Sequence, residues 1–143
     1  MADIIHEFSV KAHRRDVYRM FSTPDGLNKW WTQESSEDTD DQTFQLQFGP
    51  KYHWQAKVTR RESPAAFELQ MTQAHPDWLG TRVGCDLWEE RDKVTRVRFY
   101  HSGWPEQNEH WRGSSFCWAM YLRLLRRHLE FCETVDYEKR LEV

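Results

Sequence analysis

The last third of the chain carries one unbroken helical stripe, and no other segment is long enough to match it. Trp111, Ser115, Trp118, Leu122, Leu125, Leu129 and Cys132 recur alternately four and three residues apart, the spacing of a single helix face. Arg123, Arg126, Arg127, Glu130 and Glu133 fall on the other faces. Asn108 and Ser114 both suit the N-cap, and Gly113 blurs where the helix begins. Such a helix needs an apolar surface to lie on, and the rest of the sequence has to supply it.

That surface is written upstream at a different period. Phe44, Leu46 and Phe48 alternate with polar residues, as do Trp54, Ala56 and Val58. The same holds for Phe67, Leu69 and Met71, for Val83, Cys85 and Leu87, and for Val97, Phe99 and His101. Period two is the mark of a strand with one dry face. Turn signals separate the rows: Gly49-Pro50, Glu62-Ser63-Pro64, His75-Pro76-Asp77 and Glu90-Arg91-Asp92. The acidic run Glu34 to Asp41 reads as a solvated strand end and loop. Ahead of these rows, Ile4, His6, Phe8 and Val10 make a first strand, with His6 the odd member of an apolar row. Val17, Tyr18 and Phe21 give a short helix from about Arg14 to Ser22, and Thr23-Pro24 starts a second through Leu27 to Trp30.

Composition narrows the function classes. The chain has 143 residues, the size of one domain spanning 1–143. Aromatic residues reach 15%, with eight Trp and eight Phe, so the core is built from few, large side chains and the chain is not of disordered type. Twenty basic against 23 acidic residues give a net charge of -3, which disfavours a nucleic-acid binder. No apolar run approaches the length of a membrane span, and Met1 to Val10 lacks the pattern of a secretion signal. The cysteines Cys85, Cys117 and Cys132 are odd in number. Two of them sit about 22 Å apart on one helix, too far to bridge, so a reduced, cytoplasmic protein is expected. The tail from Thr134 to Val143 reads as polar and frayed.

The element order predicts an α+β helix-grip architecture. A curved antiparallel sheet of about six or seven strands wraps around the long C-terminal helix, with two short helices after the first strand. Several segments narrow this further. Phe21-Ser22-Thr23-Pro24-Asp25-Gly26-Leu27 with Trp30-Trp31, the strand Val97-Arg98-Phe99-Tyr100-His101-Ser102-Gly103-Trp104, and the helix Cys117-Trp118-Ala119-Met120-Tyr121-Leu122 through Leu125 resemble the family named after the activator of heat-shock protein 90 ATPase. That family lies within the START and polyketide-cyclase (helix-grip) superfamily. The resemblance runs from Ile4 to about Glu133. It implies ligand binding for most members, whereas the activator itself has an additional chaperone-binding domain to which the resemblance does not extend.

The expected site is a cavity between sheet and terminal helix that takes a small hydrophobic or aromatic molecule. Its expected walls are Trp30, Trp54, Met71, Phe99, His101, Trp104, Trp118 and Tyr121, with His101 and Tyr121 as polar groups that orient the ligand. The two short helices near Trp30 would form the entrance. No cofactor and no metal is expected, because His128 and Cys132 form only an i, i+4 pair without a third ligand. Catalytic motifs are missing from the sequence, although His6, Glu89 and His101 share inward parity and leave a cyclase-like enzyme as one alternative. A chaperone-associated role or self-association is the other.

Overall fold

The alternating rows become one seven-stranded antiparallel sheet in a computed structural model that describes residues 2–143; Met1 lies outside that range. Strand β1 (Ala2–Val10) is followed by helices α1 (Arg14–Ser22) and α2 (Pro24–Leu27). The meander is β2 (Glu34–Asp38), β3 (Thr43–Phe48), β4 (Tyr52–Glu62), β5 (Ala66–Gln73), β6 (Arg82–Arg91) and β7 (Val94–Trp104). Helix α3 (Glu109–Phe131) comes next, then a 3-10 turn at Tyr137–Glu142. The lateral order β1-β7-β6-β5-β4-β3-β2 sets the first strand beside the last and leaves β1 and β2 at the two edges. The helix-grip architecture expected from the element order is the one observed.

Register turns rows of sequence into rungs across the sheet. Val58, Leu69, Val83, His101 and Ile4 lie side by side on five strands. Phe67, Cys85, Phe99 and His6 form the next rung. All but His6 are buried, and the His6 Nε2 lies 3.2 Å from the carbonyl oxygen of Ser115 on α3. The inward parity expected of Glu89 does not hold: the residue is exposed, because the dry face of β6 ends at Leu87. The acidic run supplies β2, an edge strand whose Glu34 and Asp38 stand in solvent, and charge of this kind discourages a further strand from adding there.

Helices α1 and α2 carry the chain from one sheet edge to the other, and a four-residue motif makes the corner between them. The Thr23 hydroxyl donates to the Arg19 carbonyl at 2.7 Å, closing α1, and accepts from the Gly26 N–H at 3.0 Å, opening α2. Pro24 occupies the first turn, where its missing N–H costs nothing. Gly26 is required by contact: a Cβ there would stand 2.2 Å from the Arg19 carbonyl oxygen and 2.6 Å from the Met20 Cα. The Trp30 indole then donates to the Met20 carbonyl at 2.9 Å, so the ring after the corner is tied to the helix before it.

Of the two candidate caps, Asn108 starts α3: its side chain accepts from the Trp111 N–H at 2.9 Å. Trp118, Leu122 and Leu125 are buried along the stripe, but its last member is not. Cys132 is the exposed, left-handed C-cap, with φ of 56°. The tail also departs from expectation. It folds back, and Arg140 is only 3% exposed. Its guanidinium donates to the carbonyls of Asn28 at 2.7 Å, Val135 at 3.1 Å and Thr32 at 3.2 Å. One cation against unpaired carbonyls holds this segment, and hydrophobic periodicity gives no sign of such an anchor.

The two helical glycines separate contact from propensity. Gly26→Ala should destabilise the protein by about 1–3 kcal/mol, since backbone must move. Gly113→Ala, where a Cβ meets nothing within 4 Å, should stabilise it by about 0.5–1 kcal/mol. Urea denaturation of both variants checks the opposite signs.

Candidate functional site

Large rings fill the space between sheet and α3 unevenly. Trp118, on the buried stripe of α3, stacks on Trp78 (centroids 5.7 Å apart, planes 25° from parallel) and touches Trp31 at 5.1 Å and Phe99 at 4.6 Å. Trp30, Phe99, His101, Trp104 and Trp118 are at most 1% exposed, as is Met71. The inner length of the expected cavity is therefore occupied by the protein's own side chains.

What stays open is a cleft of about 330 Å³ on one flank of α3. Its floor is Trp31, Trp118 and Trp78; Phe48 and Trp54 form the sheet side. His110, Gly113, Ser114, Cys117 and Tyr121 form the helix side, and Leu141 of the folded-back tail stands at the rim. Of the eight residues expected to line a cavity, Trp54, Trp118 and Tyr121 line this cleft, whereas Trp30, Met71, Phe99, His101 and Trp104 lie behind its wall. The two short helices do not form the entrance as expected, since neither lines the cleft; Trp31, from the connection after α2, belongs to the floor, and Trp30 is turned inward.

His101 is locked by its partners. Its Nδ1 accepts from the Trp118 indole N–H at 3.1 Å, so Nε2 carries the hydrogen and donates to Thr81 Oγ1 at 2.8 Å. The Thr81 hydroxyl passes the bond on to the Trp78 carbonyl. Both ring nitrogens are thus committed to protein, and the relay ties the Trp118 indole to the backbone of Trp78. Burial, with a smaller contribution from nearby His110, pushes the His101 pKa down to about 3. The indole N–H groups of Trp78, Trp104 and Trp111 are buried without a partner.

Beside the expected Tyr121, the helix side holds His110, Ser114 and Cys117, which the sequence reading missed as site residues. The four are spaced four, three and four apart, a second stripe running one residue behind the buried one. That spacing was the available signal. Burial keeps the Cys117 thiol protonated and pushes the Tyr121 phenol up to about 12. Trp78 was missed because it follows a turn signal and belongs to no alternating row.

At the α3 start, ligand atoms of His75, Asp77 and His110 lie within 4.8 Å of one another. The His75 Nδ1 accepts the Asp77 backbone N–H at 3.0 Å, and the His110 Nδ1 lies 2.9 Å from Asp77 Oδ2. The His110 ring holds the Asp77 carboxyl below its usual range. A metal ion would have to displace those bonds. The His128–Cys132 pair gathers no third ligand among the described residues, and the His128 Nδ1 bonds the Thr134 hydroxyl at 2.9 Å. Cys85, Cys117 and Cys132 are all free thiols.

Neutral His101 carries a pH signature. Its folded pKa lies below its ordinary 6.5, so the unfolded chain takes up the proton first and stability falls as pH drops through 6.5 towards 3. This one group should remove about 2 kcal/mol between pH 6.5 and pH 5. Urea denaturation at both pH values checks the slope, and His101→Gln should flatten it.

Comparison with known proteins concerns the fold and the family. No curated protein matches the sequence. The fold matches the Aha1 dimer of Colwellia psychrerythraea, solved in solution, with 29% identity and a TM-score of 0.79 over 92% of this chain and 98% of that one. Protein SSP2350 of Staphylococcus saprophyticus has 20% identity and a TM-score of 0.76 over 94% and 96% of the two chains. CalU16 of Micromonospora echinospora has 20% identity and a TM-score of 0.72 over 98% and 83%. The last two likenesses concern the fold alone. Residues 11–130 match the family described as Activator of Hsp90 ATPase homolog 1-like protein, and the chain belongs to that family.

Proposed function

We propose that the protein binds a small, flat, apolar or aromatic molecule in the cleft beside α3. The observation that supports this reading is the lining: a volume of about 330 Å³ walled by Trp31, Phe48, Trp54, Trp78, Trp118 and Tyr121. Pockets that bury small ligands begin near 300 Å³ and combine apolar walls with few polar groups. Burial of apolar area at about 25 cal/mol per Å² drives association. The Trp118–His101–Thr81 relay keeps the floor in one arrangement, which lowers the ordering cost of binding.

N-phenyl-1-naphthylamine, whose emission rises in apolar surroundings, tests the reading by titration. Gly113→Leu projects a side chain into the cleft from α3 and should weaken binding at least tenfold. Phe116→Ser, on the exposed outer side of the same helix, should leave it unchanged. Equal affinities for all three proteins would place the dye elsewhere and refute the cleft.

Self-association is a second reading, favoured by one observation. Phe116 and Phe131 are 80% and 66% exposed on α3, and the Colwellia relative is described as a dimer. Light scattering at increasing concentration should show a dimer that Phe116→Glu dissociates; a monomer throughout removes this reading.

A further inference from the structure

We infer that the α3 start of the cleft is a recognition point for a hydroxyl group, built by His110 and Ser114. The guest is then a flat apolar molecule that carries one hydroxyl at that end. The inference rests on the cleft reading above and specifies its ligand class.

The cleft is otherwise walled by rings, a thiol and aliphatic groups, so a polar pair at one end decides orientation. His110 and Ser114 stand one helical turn apart, and both line the cleft. The Asp77 carboxylate lies 2.9 Å from the His110 Nδ1. A carboxylate only accepts, so Nδ1 is the donor, and the tautomer this bond selects has Nε2 as its acceptor. The Asn108 amide, at 3.4 Å, helps to hold Asp77. His75, with ring centroids 4.5 Å apart, and Trp104, at 5.3 Å, meet the His110 ring edge-on and restrict its rotation. Asp77 is not part of the cleft lining, whereas His110 is. The ring thus turns its Nδ1 edge to the carboxylate, and Nε2 lies on the opposite edge of a side chain that is 38% exposed and lines the cleft. Among the described residues Nε2 has no hydrogen-bond partner.

Ser114 completes the pair. It is 8% exposed, and its hydroxyl makes no hydrogen bond within the described residues. A guest hydroxyl matches both groups at once: its hydrogen goes to the His110 Nε2, and its oxygen accepts from the Ser114 hydroxyl. An ether or a ketone supplies only an acceptor and leaves Nε2 unpaired, which costs affinity. Tyr121 follows three helical turns later, its backbone about 16 Å along the helix axis from that of His110. Only one end of the guest therefore meets the histidine.

Calorimetric titration with 2-naphthol and with its methyl ether, 2-methoxynaphthalene, tests the inference. The wild-type protein should bind the naphthol about tenfold more tightly, as one added hydrogen bond implies. His110→Phe, which keeps a ring on Trp104, should reduce that ratio to about twofold or less, with the ether's Kd unchanged or tighter because no Nε2 is left unpaired. Ser114→Ala removes a donor that both probes use, so it should weaken both about equally and leave the ratio unchanged; His110→Leu serves as the second variant if His110→Phe fails to fold by circular dichroism. Equal wild-type affinities for the two probes, or a preference that survives loss of the His110 imidazole, overturn the hydroxyl point and leave the cleft standing. Failure of both probes to bind wild-type protein overturns the cleft reading with it.

Discussion

One hydrogen bond sets the geometry on which the rest of the molecule relies: the Trp118 indole donates to a histidine ring held neutral by burial. Helix α3 has no backbone pairing with the sheet, so its height and rotation are decided by side chains. The bond from Trp118 to His101, continued through Thr81 to the carbonyl of Trp78, joins α3, β7 and the β5–β6 connection. Apolar packing alone would tolerate a sliding helix. A directional donor with a single acceptor does not.

The same constraint explains why the interior is closed and the flank is open. Indoles stacked behind Trp118 leave no room along the centre of the sheet, where Trp30, Phe99 and Trp104 are almost wholly buried. On the flank, α3 presents the small residues Gly113 and Ser114 to the cleft, and a Cβ at Gly113 would meet nothing within 4 Å. The cleft follows from small residues on one side of a helix whose neighbouring stripe is packed through Trp118, Leu122 and Leu125.

Much of this was legible in the sequence, and the illegible parts have physical causes. The five alternating rows, the Thr23-Pro24-Asp25-Gly26 corner and the stripe through Trp118 each report a local periodicity or a cap, and each became the expected element. Depth does not follow from parity. His101 and Trp54 both sit in alternating rows, yet one is sealed behind indoles and the other faces the cleft. That difference depends on how neighbouring rings pack across strands far apart in sequence. The second stripe, His110 to Tyr121, was readable but was hidden by a polar start and a glycine. Arg140 was not readable, since its partners are backbone carbonyls more than a hundred residues away.

The folded-back tail has a wider consequence. The match to the family ends at residue 130, while Leu141 stands at the rim of the cleft and Arg140 is anchored beneath the Trp30–Trp31 segment. The mouth is therefore framed in part by sequence outside the shared scaffold. Substitution or lengthening there would reshape the mouth while the Trp118–His101 contact behind it stays in place.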